Sequence, residues 1–136
     1  MFIHCLFVGY KKEYKGKGYA SLLLDECIKE SEKMNLKGVA VVTRKGSFMA
    51  KKDIFLKKGF SVVDKAKPDF ELLVLKFQKN AENPKFKEMS TEKYSEGLTI
   101  MRSTQCPYSV KNVEAIIETA KKMNLNPKLI DLDEHE

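Results

Sequence analysis

The stretch FIHCLFVGYKKEYKGKGYASLLLDECIKESEKMNLKGVAVVT, residues 2–43, decides the fold. Its opening, residues 2–8, is an almost continuously apolar run with β-branched and aromatic members, which predicts a strand buried on both faces. Gly9 ends it. From Gly18 onward Ala20, Leu23, Leu24, Cys27, Ile28 and Ser31 recur at three-and-four spacing, with Asp25, Glu26, Lys29 and Glu30 between them. That spacing predicts an amphipathic helix with its polar side in water. Gly38 reads as the helix stop, and residues 38–43 (GVAVVT) as a second buried strand. Strand, helix and strand in this order predict a right-handed crossover between parallel strands.

Further along, Ser47 is the expected N-cap of a shorter helix that reaches Lys58 and closes at Gly59. Residues 60–63 and 70–77 predict two more strands, joined by a turn at Pro68 and Asp69. Residues 78–96 are mostly polar or charged, include Asn83 and Pro84 and show no apolar period. A linker is expected there, over 81–96, separating a domain at 1–80 from a second at 97–136. In the second domain residues 98–102 read as a strand, Val113, Ile116, Ile117 and Ala120 as a helix face, and residues 129–132 as a returning strand. The fold class is α/β: a mixed sheet in the order strand, helix, strand, helix, strand, strand, then a short βαβ unit. A unit of that size buries little surface, so it is expected to need more chain or a partner.

With 43% hydrophobic residues in a chain of 136, disorder throughout is excluded. The longest apolar run falls far short of the roughly 18–20 residues that cross a bilayer, and no basic leader or cleavage site precedes it. A cytoplasmic address without membrane attachment is expected. Residues 1–80 hold 17 Lys+Arg against 9 Asp+Glu and residues 81–136 hold 8 against 10, so the basic character belongs to the first domain. The pairs Lys11-Lys12, Lys51-Lys52 and Lys57-Lys58 read as solvated faces, and without interleaved aromatics nucleic acid is not the expected partner. Cys5, Cys27 and Cys106 form no C-x-x-C pair and no zinc-ligand spacing, so no metal is expected. Cys5 and Cys27 lie in apolar patterns that predict buried free thiols. His4 and His135 have no serine or carboxylate placed to make a triad.

The sharpest chemical feature is Lys15-Gly16-Lys17-Gly18-Tyr19-Ala20, set between the first strand and the first turn of the helix. A helix N-terminus offers four unpaired N–H groups and partial positive charge, and glycine lets a phosphate approach the backbone closely. Lys15 and Lys17 add mobile cations suited to a pyrophosphate. A P-loop is excluded because no G-x-x-x-x-G-K-[ST] is present, and Ser21 stands where a dinucleotide fingerprint needs its third glycine.

On these residues the chain resembles the second half of a GNAT N-acetyltransferase domain. CLFV, KGKGYA, ASLLLDECIKES, GVAVV and FLKKGF follow in the family's order, with Lys15 in the family's Gln/Arg place, Gly18 at its glycine and Ala20 at the last position. The resemblance implies acetyl-CoA as cofactor, its pyrophosphate on the amides of Gly16, Lys17, Gly18, Tyr19 and Ala20, and its pantetheine arm on the backbone of Phe7 and Val8. An amine, on a small molecule or a peptide, is the implied acyl acceptor. SFMAKKDIFLKKGFSVVDKAKPDFELLVLKF, NPKF and GLTIMRSTQCPYS are similar to the YoaP-like acetyltransferases, in which a thioredoxin-like domain follows. Both domains are expected to be truncated, the first lacking the elements that precede CLFV.

Two departures bear on chemistry. Phe55 stands where many relatives carry a tyrosine general acid, and it has no proton to give, so it reads as a core residue. Cys106-Pro107-Tyr108-Ser109 resembles the active turn of a glutaredoxin with Ser109 in place of the second cysteine, which leaves a one-thiol exchange at Cys106 as its only redox chemistry. Acyl transfer to an amine is therefore read beside two alternatives, a CoA-binding or assembly module and a one-thiol redox protein. If the chain is the whole protein, the first strand, with no strand before it, is expected to pair with a second copy or to be swapped.

Overall fold

The computed structural model describes residues 1–9, 11–46, 49–88, 96–103 and 109–132. They form two compact units, Met1–Lys87 and Glu88–Glu136, in a mixed α/β chain. The first unit contains β1 (Phe2–Ile3), a 3-10 turn (Lys12–Tyr14), α1 (Tyr19–Lys33), β2 (Gly38–Thr43), α2 (Lys52–Leu56), β3 (Ser61–Ala66) and β4 (Phe70–Lys76). Its sheet runs in the order β1-β2-β4-β3. β1 lies parallel to β2, with Phe2 opposite Ala40 and Ile3 opposite Val41, and the other neighbours are antiparallel.

Alternation along β2 sets the core: Val39, Val41 and Thr43 are buried while the residues between them are half-buried. Against that face pack Leu24 from α1, Phe55 from α2, Phe60 and Leu73. Phe55 meets Phe60 edge-on at 5.6 Å, a favoured aromatic arrangement, so it is a core residue. β4 is buried on both sides through Leu72, Leu73 and Val74.

Several expectations need correction. The first strand is two residues long rather than seven, and Phe2 and Phe7 are 42% and 50% exposed. The reason is position: β1 is at the sheet edge, where an apolar run has one paired side at most, and it leaves the ladder after Ile3. Cys5 on that segment is therefore exposed, and Cys27 is half-buried against the core. Leu23 points outward at 51% exposure, because the inner stripe of α1 is narrower than its apolar content. That stripe centres on Leu24 and Ser31, whose hydroxyl donates to the Cys27 carbonyl at 2.7 Å. α1 ends at Lys33 and is closed by Asn35, not by Gly38: Asn35 takes φ 53°, and the Leu36 N–H returns to the Ser31 carbonyl. α2 starts at Lys52 with Lys51 as N-cap, and Ser47 lies outside the described residues. Its far end does close at Gly59 (φ 86°), with the Phe60 N–H bonded to the Phe55 carbonyl.

Exposure predicts thiol reactivity directly. Iodoacetamide at neutral pH is expected to alkylate Cys5 at roughly ten times the rate of Cys27, whose half-buried position against the core restricts access. Peptide mapping over a time course checks this, and equal rates would contradict the burial of Cys27.

The second unit pairs β5 (Thr99–Arg102) in parallel with β6 (Lys128–Asp131), joined through α3 (Ser109–Lys122). Val113 and Ala120 are buried on α3, whereas Ile116, expected inside, is 44% exposed. Arg102 and Asp131 form a two-bond ion pair across the strands. Cys106 and His135 lie outside the described residues. No described helix is long and apolar enough to cross a membrane.

Candidate functional site

The loop between β1 and α1 is held by aromatic packing. Gly9, at φ 104°, admits the ring of Tyr14 so closely that a Cβ there would stand 3.4 Å from it. Tyr14 in turn meets Tyr19 edge-on at 6.4 Å, so one ring spans the entrance and exit of the loop. The 3-10 turn uses the N–H groups of Tyr14 and Lys15, which donate to the carbonyls of Lys11 and Lys12 at 3.1 Å. Beyond Lys15 the pattern changes.

Gly16 and Gly18 both adopt left-handed φ, 71° and 78°, and a Cβ at either would meet nothing within 4 Å. Backbone conformation therefore selects glycine here, and the space above the loop is open. Gly18 is the N-cap of α1 and accepts from the Leu22 N–H at 3.1 Å, the first bond of the helix. Among the described residues the N–H groups of Gly16, Lys17, Gly18, Tyr19, Ala20 and Ser21 have no acceptor. Lys15, Lys17 and Tyr19 are exposed beside them and Ala20 is half-buried. Glu13, the nearest acid in sequence, pairs with Lys11 at 3.6 Å.

The second element is the parting of two parallel strands. After Ile3 the first strand no longer pairs with β2, and a narrow cleft lies between residues 3–6 and Val41–Val42, floored by Phe55. Phe7 and Val8 continue past this cleft toward the loop, outside the ladder. His4 on the same segment is exposed and tilts against the Phe2 ring at 4.6 Å. No group of three or more potential metal ligands occurs among the described residues.

A further concavity, which the sequence reading passed over, sits at the end of β2. It is lined by residues 43–46, the start of α2 and Glu71 of β4. Nothing in the local sequence marked it, because Lys51 and Lys52 read as an ordinary solvated face. Glu71 accepts from Lys52 Nζ at 2.7 Å, and this bond holds its carboxyl below the usual carboxylate range. Asp64 on β3 is likewise depressed, first by the Phe86 N–H at 2.7 Å, then by the Lys65 N–H. That contact, with Lys76 Nζ donating to the Ala81 carbonyl, ties part of the stretch expected as linker onto the first unit.

A carboxyl whose folded pKa is depressed contributes stability above its unfolded value, and that contribution is lost as pH falls through the folded one. The melting temperature of the chain is therefore expected to drop as pH is lowered below about 4. Asp64→Ala should flatten that drop and Glu71→Gln should do the same. Thermal melts between neutral pH and pH 3 check this; parallel curves for wild type and both variants would exclude these groups as the acid-labile ones.

A strand, a glycine loop with amides that lack an acceptor among the described residues, and a helix follow one another directly in an α/β unit. The chain is 31% identical over 140 aligned residues to the uncharacterized N-acetyltransferase YoaP of Bacillus subtilis (strain 168). The alignment takes in 100% of this chain and 55% of that protein, so the chain spans about half the length of the curated relative it matches. No family model matches the chain, and no solved structure matches it.

Proposed function

We propose that the first unit is the cofactor-binding part of a GNAT-type N-acetyltransferase, taking acetyl-CoA as donor and an amine as acceptor. The observation that carries this reading is the run of acceptor-free amides from Gly16 to Ser21 at the mouth of a 15-residue helix. The similarity to an N-acetyltransferase along the whole chain supports it independently. The residues suit a diphosphate: the backbone at Gly16 and Gly18 carries no Cβ and opens onto free space, and Lys15 and Lys17 supply cations. The cleft that opens after Ile3 leads toward Phe7 and Val8, whose backbone follows it in the chain and would take the pantetheine arm.

Acetyl-CoA, when bound, supplies an acyl group activated as a thioester. The chain's part is to orient it. The Val8 N–H has no acceptor among the described residues and is the candidate donor for charge developing on a carbonyl oxygen. Phe55 takes no part in proton transfer, being fully buried. The βαβ order of the second unit supports a thioredoxin-like reading of it.

A thermal-shift titration of the full chain with acetyl-CoA tests the reading, followed by thiol release on addition of amines. A saturable shift with turnover supports transfer. A shift without turnover on any amine favours a CoA-binding module, and no shift at all removes the cofactor.

A further inference from the structure

We infer that the concavity at the end of β2 is a second anion site, which receives the carboxylate or phosphate of the acyl acceptor; its assignment to the acceptor rests on the acetyltransferase reading. The cavity measures about 290 Å³, room for a ligand of amino-acid size. Four cations line it, Arg44, Lys45, Lys51 and Lys52, against two carboxylates, Asp53 and Glu71.

Pairing sharpens this imbalance. Lys52 is bound to Glu71 at 2.7 Å, and Arg44 to Asp69 at 3.0 Å while stacking on Phe70 at 4.8 Å. The Lys45 N–H donates to Asp69 at 3.1 Å, but the ammonium groups of Lys45 and Lys51 form no ion pair among the described residues, and neither does Asp53. The cavity wall therefore keeps a positive excess.

Thr43, which lines the same cavity, is only 2% exposed, yet its Oγ1 has no hydrogen-bond partner among the described residues. A buried hydroxyl normally finds one, and a donor left waiting in a cationic pocket fits an oxyanion that arrives with the ligand.

Location separates this ligand from the cofactor. No described residue of the loop 9–20 lines the cavity; its walls come from the end of β2, the start of α2 and β4, on the other side of β2 from β1. β1 and β2 are parallel, so the glycine loop and this cavity both follow the carboxyl ends of neighbouring strands, where α/β sheets bind their ligands. The arrangement offers one anion site on each side of β2. An acceptor amine that also carries an anion would be held beside the donor.

The test is a thermal-shift titration of the full chain at constant ionic strength with succinate and inorganic phosphate. 1,4-Diaminobutane serves as the length-matched cation. A saturable shift with at least one anion and none with the diamine is expected. Its apparent affinity should fall about tenfold in Thr43→Val and in Lys51→Gln, and persist in Gly18→Glu. In turnover with acetyl-CoA, β-alanine should outpace propylamine in the wild type and lose that advantage in Lys51→Gln. Thr43→Val is near-isosteric and Lys51 is exposed, so both variants should fold. No saturable anion shift, or one lost in Gly18→Glu and kept in Lys51→Gln, overturns the proposal while leaving acetyl-CoA binding intact. Equal turnover of β-alanine and propylamine overturns the acceptor assignment. An anion shift with no response to acetyl-CoA upholds the cavity and removes the transferase reading instead.

Discussion

Gly18→Glu is expected to abolish the acetyl-CoA-induced thermal shift, lowering affinity by at least about 100-fold, because it acts on the loop in two ways that add. The first is charge. Gly18 is the N-cap of α1, and a carboxylate there meets the helix N-terminus itself, occupying the partial positive charge meant for phosphate and repelling the diphosphate. The second is conformation: at φ 78° a side chain costs about 1–2 kcal/mol, so the loop tends to abandon the geometry that presents its amides. Gly18→Ala separates the two. An alanine Cβ there meets nothing within 4 Å, so it carries the backbone cost without the charge. It should lower the melting temperature of the free protein while keeping a measurable acetyl-CoA response. Wild-type affinity in Gly18→Glu would place the diphosphate elsewhere and dissolve the site. The open space over Gly18 makes the comparison clean, since a Cβ there displaces no neighbour.

What could be read in advance, and what could not, follows from the range of the forces involved. The glycine loop was legible because its signal is local: glycines and lysines in a row between an apolar run and a 3.6-residue period. The mixed α/β character was legible for the same reason. Burial of the first strand was not. Apolarity of residues 2–8 reports a tendency to be covered, while sheet order decides which strand is covered, and that depends on β2, β3 and β4 far along the chain. Asn35 took the role expected of Gly38 because asparagine also tolerates left-handed φ, and a nearby glycine masked it. The cavity at Thr43 was invisible because it is made by residues 28 positions apart, Thr43 and Glu71, brought opposite each other by the β2–β4 register. Linear spacing carries no trace of such a pairing.

Gly38 shows how a glycine can be identified correctly and explained wrongly, and among the glycines of the first unit its replacement by alanine should produce the largest loss of stability. As a helix stop it would tolerate alanine poorly because of φ, yet its φ is not in the left-handed region. Its need is for space. A Cβ at Gly38 would stand only 2.4 Å from the Leu75 carbonyl oxygen and 3.2 Å from the Lys76 Cα, both of them backbone atoms that cannot rotate away. Nor is β2 free to retreat. The Phe77 N–H donates to the Lys37 carbonyl at 3.0 Å, and the amino group of Met1 donates to the Gly38 carbonyl at 2.9 Å, so the strand is tied on both sides at this point. Relieving the clash must break one of those ties. Gly38→Ala is therefore expected to cost about 3 kcal/mol, at the upper end for overpacking. At roughly 4–8 °C per kcal/mol for a unit of this size, that is a fall of about 12–24 °C in melting temperature. Gly16→Ala is the control, since φ 71° strains it while its surroundings stay open, and it should lose only about 1–2 kcal/mol. Thermal or urea unfolding of both variants decides the matter. If Gly38→Ala were no worse than Gly16→Ala, the close approach of β2 to β4 at Leu75 would have to be looser than 2.4 Å implies. The two variants should also part in function: below its lowered melting point Gly38→Ala should keep its acetyl-CoA response, because the amides from Gly16 to Ser21 lie at the opposite end of α1.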